Sequence, residues 1–164
     1  MPKATPQDCI FCHIVAGTAP AHQIWSDDKH LAFLSIFPNM QGVTIVMPKA
    51  HHSSYAFAQE DRVLTELMVA AKKVARILDG YFDDVGRCGL VFEGFGVDHL
   101  HAKLYPLHGT GNLEAWRRLE SSDNKAFFEV YPGYISSNDS HRADDDELAS
   151  LAAKIRQSHS RAEK

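Results

Sequence analysis

Cysteine is scarce in this chain, with three residues in 164. Two of the three share one turn, Cys9-Ile10-Phe11-Cys12, so the thiols read as metal ligands rather than as a disulfide framework. Long apolar runs are missing as well. None approaches the roughly 18–20 residues that a membrane span requires, and the start, Met1-Pro2-Lys3-Ala4-Thr5, lacks the apolar core of a signal peptide. A cytoplasmic protein with no membrane partner is the expectation. Neither sign of charge dominates: 17 basic against 21 acidic residues leave a net charge of −4. That argues against a dedicated nucleic-acid binder, although a small nucleotide needs only a local positive site. No internal repeat is present. What the chain has in excess is histidine, ten residues, a composition that points to metal or phosphate chemistry.

The length fits one domain. Residues 1–8 read as a disordered lead-in, residues 9–107 as the domain body, and residues 108–164 as a C-terminal extension packed on the same body. A short helical turn should follow Cys9 and stop at Gly17. Gln23 to Ser26 and His30 to Ile36 read as strands joined at Asp27-Asp28-Lys29, and Val43 to Met47 as a third, closed by Pro48. From 59 to 79 the apolar residues Val63, Leu64, Leu67, Met68, Ala71, Val74, Ala75 and Leu78 recur at spacings of three and four. This predicts a long amphipathic helix ended by Asp79-Gly80. Cys88 to Phe92 is a further strand. Residues 127–135 read as a hairpin turning at Pro132-Gly133, residues 116–119 as a helical turn, and residues 144–157 as a second helix with its acids first and its bases last. Two helices and about six strands, mostly antiparallel, define an α+β domain.

One stretch organises the rest: Val97-Asp98-His99-Leu100-His101-Ala102-Lys103-Leu104-Tyr105-Pro106. The alternation predicts a strand with His99, His101 and Lys103 on one face and Leu100, Ala102 and Leu104 on the other. Alternate residues lie roughly 6.5–7 Å apart, so two imidazoles and an ammonium form a row suited to a phosphate. Glu93-Gly94-Phe95-Gly96 leads into it. The two glycines let backbone N–H groups approach an anion, which makes Gly94 and Gly96 candidate phosphate contacts. The loop from Leu107 to Asn112 is expected beside the same site. The Cys9/Cys12 spacing suits one zinc, but alone it is half a site.

These residues carry a resemblance. The chain resembles the histidine-triad (HIT) family of nucleotide hydrolases and transferases, whose signature is His-φ-His-φ-His-φ-φ with φ apolar. It matches at His99, Leu100, His101, Ala102 and Leu104 and departs at Lys103, where the family has its third histidine. The resemblance continues from Leu31 to His51. It implies a HIT-like fold, an antiparallel sheet of five to six strands with one long helix and a C-terminal helix, and a homodimer. It implies a purine nucleotide conjugate as substrate, of phosphoramidate or dinucleotide type. His101 would be the nucleophile forming a nucleotidyl-histidine, with Lys103 and His99 as its catalytic neighbours. Ser35, at the position of a ribose-binding acid, and Ile36 would join Gly94, Gly96 and Lys103 in holding the nucleotide. It also implies zinc held by Cys9, Cys12, His51 and His99. A nucleotidyltransferase and a non-catalytic nucleotide-binding module are the alternatives, the first favoured by the missing third histidine.

Overall fold

The structure, a computed structural model, describes residues 5–111 and 142–162. The elements run α1 (Ile10–Val15), β1 (Gln23–Ser26), β2 (His30–Leu34), β3 (Thr44–Pro48), α2 (Asp61–Tyr81), β4 (Cys88–Val91), β5 (Ala102–Pro106) and α3 (Asp145–Ala162), with 3-10 turns at Pro6–Asp8 and Ala56–Ala58. Pro6–Asp8 falls within the lead-in expected over 1–8. The five strands make one antiparallel sheet in the order β1-β2-β3-β5-β4. This is the α+β architecture expected. The hairpin over 127–135 and the turn over 116–119 lie outside the described residues. Among the described residues no helix is long and apolar enough to cross a membrane.

Strand alternation sorts the side chains into two layers. On one face Ala32, Leu34, Val46, Ala102 and Leu104 pack with Leu67, Ala70, Ala71, Val74, Ile77 and Leu78 of α2 and with Leu148, Ala152 and Ile155 of α3. Burying a leucine or valine completely contributes about 1.5–3 kcal/mol, so this layer dominates the core. On the other face Leu31, Phe33, Ile45 and Met47 pack with Cys9 and with Phe11 of α1. The second layer is small, and it ends where the polar site begins.

Three expectations are corrected here. The buried stripe of α2 includes Ala70 and Ile77, while Met68 is exposed. The periodicity is right, but the stripe lies slightly round the helix from the face read off the sequence. The helix also runs through Gly80 to Tyr81, because its stop comes from Phe82, which is buried and stacked edge-on against Tyr81 at 4.8 Å. Finally, β5 begins only at Ala102. Pairing with β3 stops at Val46–Ala102, since Pro48 has no N–H to offer a ladder. Upstream, the backbone turns to the loop after β3: Leu100 N–H donates to the His52 carbonyl at 2.8 Å, and Ser54 N–H donates to the Asp98 carboxylate at 2.8 Å.

The loop after β5 sits at the end of that strand away from His101, contrary to expectation. There His108 donates from Nδ1 to the Asp84 carboxylate at 3.0 Å and from Nε2 to the Gln41 carbonyl at 3.0 Å. The neighbouring Gly42 has φ +84°, and a Cβ there would lie 2.7 Å from the Phe82 ring, so no other residue fits. Only an imidazolium can donate from both nitrogens at once. Burial opposes that charge, but the Gln41 carbonyl and the Asp84 carboxylate outweigh it and raise the His108 pKa. A raised folded-state pKa gives stability that is complete below the unfolded value, about 6.5. That stability is lost as pH rises through the folded value. The coupling between His108 and Asp84, measured by a His108→Gln/Asp84→Asn double-mutant cycle, should therefore shrink between pH 6 and pH 8. A coupling that grows over that interval would contradict the clasp.

Candidate functional site

The site is built where the Cys9–Cys12 turn, the loop after β3 and the segment leading into β5 converge. His99 is completely buried. Its Nε2–H donates to the Pro48 carbonyl at 2.9 Å, which leaves the Nδ1 lone pair pointing the other way. That nitrogen lies 3.4 Å from the Cys9 sulfur and 3.7 Å from the Cys12 sulfur. The Cys12 sulfur is in turn 3.3 Å from His51 Nδ1. The four donor atoms of Cys9, Cys12, His51 and His99 all lie within 4.8 Å of one another.

The dimensions bear on a metal directly. Zinc–sulfur bonds of about 2.3 Å and zinc–nitrogen bonds of about 2.0 Å at tetrahedral angles place sulfur and nitrogen roughly 3.5 Å apart. The observed separations bracket that value. Burial is the main influence holding the His99 pKa down to about 4, with His51, His101 and His52 adding to it against the Pro48 hydrogen bond; His99 is thus neutral, as a ligand must be. Burial first, and then the Cys9 sulfur beside it, raise the Cys12 thiol to about 11. A thiol in that state gains from a divalent cation, which deprotonates its coordinating thiols. The donor set and its spacing are compatible with zinc.

His101 stands apart from this cluster although it is two residues from His99. It is 3% exposed. Its Nδ1–H donates to the His99 carbonyl at 2.6 Å, so Nε2 carries the free lone pair. Burial is the first cause lowering its pKa, and the Lys103 ammonium adds to it; the His99 hydrogen bond and the Glu93 carboxylate oppose them. The ring is therefore a neutral, oriented base at physiological pH. Phe11 packs edge-on against both imidazoles, at 5.2 Å from His101 and 5.8 Å from His99.

Lys103 lies opposite Ile45 on one side and Val91 on the other. Its ammonium is 3.3 Å from a Glu93 carboxylate oxygen. Gly94 and Gly96 follow with φ of +73° and +87°. A Cβ on Gly94 would come within 3.3 Å of the Ser54 carbonyl, so the loop can run this close to its neighbour only with glycine there. The intervening Phe95 is 79% exposed.

Ser35 and Ile36 sit just past the end of β2. The Ser35 hydroxyl accepts the Phe37 N–H at 3.2 Å, and Ser35 borders a cavity of about 140 Å³ closed by Leu148 and Leu151 of α3. The Ile36 carbonyl accepts the Ala143 N–H at 2.9 Å. Of the residues singled out from the sequence, the structure thus gathers Cys9, Cys12, His51 and His99 into one cluster. It sets His101 and Lys103 beside them on the Phe11 side of the sheet. Two residues escaped the sequence reading. Glu93 reads in the sequence only as part of the glycine loop, although it shares strand parity with Val91, the β4 partner of Lys103. Phe11 is carried by the Cys9–Cys12 turn itself, so any folding of that turn onto the histidines brings its ring along.

An antiparallel sheet backed by one long helix carries a buried, oriented histidine and an ammonium on its other face. The chain belongs to the HIT family: the HIT domain model matches residues 16–109. Protein hit of Bacillus subtilis is 33% identical over 111 residues, 65% of this chain and 75% of that protein. An uncharacterized HIT-like protein of Methanocaldococcus jannaschii is 33% identical over 121 residues, 70% and 92% of the two chains. Among solved structures, a HIT-like protein involved in cell-cycle regulation from Bartonella henselae superimposes with a TM-score of 0.67 at 22% identity, covering 94% of this chain and 98% of that one. A zinc-bound histidine triad family protein from Mycobacterium smegmatis does so with a TM-score of 0.60 at 22% identity, covering 97% and 98%. At those identities the structural matches establish the fold.

Proposed function

We propose that this chain is a nucleotide hydrolase that cleaves nucleoside-phosphate conjugates, of phosphoramidate or dinucleotide type, through a nucleotidyl-histidine at His101. The observation that carries the reading is the contact of His101 Nδ1 with the His99 carbonyl. With Nδ1–H committed to the His99 carbonyl at 2.6 Å, the Nε2 lone pair is available without prior loss of a proton. In the first step Nε2 forms a bond to the α-phosphorus, and the bond from phosphorus to the leaving group breaks, its electron pair staying on the departing phosphate oxygen or on the departing nitrogen, which takes up a proton from solvent. In the second, water attacks the same phosphorus and the phosphorus–nitrogen bond breaks, returning its electron pair to Nε2. The water proton passes to solvent, and the nucleoside monophosphate is released. Two displacements replace one difficult one. Lys103 and the N–H groups from Gly94 to Gly96 stabilise the charge on the non-bridging oxygens. The family resemblance assigns the nucleoside end to Ser35 and Ile36.

Cys9, Cys12, His51 and His99 hold zinc in this reading, and its chemistry is structural: four protein donors leave no position open for substrate. His99 accordingly serves the metal and, through its backbone carbonyl, orients His101. The protein works as a homodimer in the cytoplasm on a purine nucleotide conjugate. Transfer to an acceptor other than water is the second reading, favoured by a lysine where a proton-donating histidine would stand.

Intact-mass measurement on mixing with adenosine phosphoramidate and with diadenosine triphosphate, with AMP release followed in parallel, tests the proposal. Free AMP in catalytic excess from either substrate is the expected result. A stoichiometric adduct without turnover would favour the transferase. Nucleotide binding with neither adduct nor AMP would overturn both in favour of a binding module.

A further inference from the structure

Glu93 lies outside the family signature and Lys103 replaces its third histidine, yet the charges of both act on His101. The ammonium and carboxylate are 3.3 Å apart, with side chains only 13% and 21% exposed, and both act electrostatically on His101. The positions follow from the sheet. Val91 pairs with Lys103 across β4 and β5, and Glu93, two residues beyond Val91, falls on the same face. A partly buried ion pair at this place differs chemically from an imidazole. A histidine at the third position can give up a proton near neutral pH. A lysine ammonium is a weaker acid than an imidazolium and keeps its proton there. What the pair offers is a fixed positive pole, not an acid.

Resting on the reading above, we propose that Glu93 positions Lys103 as a charge clamp that selects substrates whose leaving group departs as an anion. The chemical class is a nucleotide phosphoanhydride, such as a dinucleoside polyphosphate. When the α-phosphorus to oxygen bond of an anhydride breaks, the electron pair stays on a phosphate oxygen that needs no proton, and a nearby ammonium stabilises it. When the phosphorus to nitrogen bond of an alkylamine phosphoramidate breaks, the pair stays on a nitrogen that must be protonated to leave. Lys103, held by Glu93, withholds that proton. General-acid assistance contributes about 10²- to 10⁴-fold, and a leaving group that needs it loses that factor here.

The experiment compares kcat/KM for diadenosine triphosphate with that for an adenosine 5′-phosphoramidate of a primary alkylamine. The expected ratio favours the anhydride by at least about 100-fold. Lys103→His, which restores a proton donor, should cut the ratio at least about tenfold by raising the phosphoramidate rate. Glu93→Gln should lower kcat for the anhydride, because Lys103 loses its anchor. It should also lower KM, because a negative charge beside the phosphates is gone; a purely structural loss would reduce the active fraction and leave KM unchanged. Equal efficiency on both substrates in the unmodified protein overturns this inference and leaves the His101 mechanism standing. A ratio that Lys103→His does not move, or a Glu93→Gln protein with unaltered KM, also overturns it. No His101 adduct and no AMP from either substrate overturns the hydrolase reading and this inference together.

Discussion

Replacing His101 by alanine should abolish the nucleotidyl-protein adduct and lower kcat/KM on the order of 10⁴-fold or more. The size of the effect follows from the geometry. Among the described residues His101 is the imidazole beside Lys103 whose outward nitrogen is not turned into the Cys9–Cys12–His51–His99 cluster. The ring is also buried against Phe11 at 5.2 Å, so alanine leaves a void and some loss of stability is expected with it. His101→Gln separates the two effects. Its amide can donate to the His99 carbonyl and fills most of the space, but it offers no nucleophile. Both variants should be inactive, while glutamine should melt closer to the parent protein. Turnover within tenfold of the parent in either variant, with AMP still formed, would place the chemistry elsewhere.

The fold was legible in the sequence because alternation and helical spacing report burial, and burial is what shapes this core. Leu100, Ala102 and Leu104 face α2, and His99, His101 and Lys103 the opposite side, just as their parity requires. Parity does not report hydrogen bonding, however. It could not show that the pairing of β3 with β5 stops at Val46 and that His99 and His101 precede the strand rather than lie within it. Nor does it show depth. His99 and His101 share a face, but one nitrogen of His99 reaches the thiols and the other the Pro48 carbonyl, so the expected row of two imidazoles and an ammonium becomes His101 and Lys103, with His99 turned into the thiol cluster. The cysteine pair gave half of a cluster on spacing alone. The other half comes from His51 and His99, which are separated from it by 39 and 87 residues, a proximity that only the sheet and the loop after β3 create. Glu93 illustrates a different limit. A carboxylate next to glycines reads as loop solvation, and its role becomes visible only when the β4–β5 register sets it against Lys103.

Removing the metal-site donors should cost more stability than any other change outside the main core. Cys9 is 2% exposed and sits in the small second layer, with Phe11, Leu31, Phe33, Ile45 and Met47. That layer has few apolar partners to fall back on, and a bound ion would tie α1 to the loop after β3 and to the segment entering β5. A ligand bound at about 1,000 times its dissociation constant stabilises the folded chain by about 4 kcal/mol. At about 2–4 °C per kcal/mol for a chain of this size, chelation, Cys9→Ala or Cys12→Ala should lower Tm by about 10 °C. The protein as purified should hold about one zinc per chain, and cobalt exchanged into it should show a thiolate charge-transfer band that either cysteine variant loses. Affinity should weaken as pH falls, because protons compete for the same thiolates and imidazoles. Activity should respond as well, and the route is Phe11. Its ring leans on His101 from a helix that Cys9 caps and Cys12 belongs to. Loosening that helix should reduce the rate of adduct formation by about ten- to a hundredfold, while the adduct, once formed, still lies on His101. Metal analysis far below one ion per chain, together with a Tm indifferent to chelator, would reduce Cys9 and Cys12 to packed thiols and leave His99 as a purely structural hydrogen-bond donor.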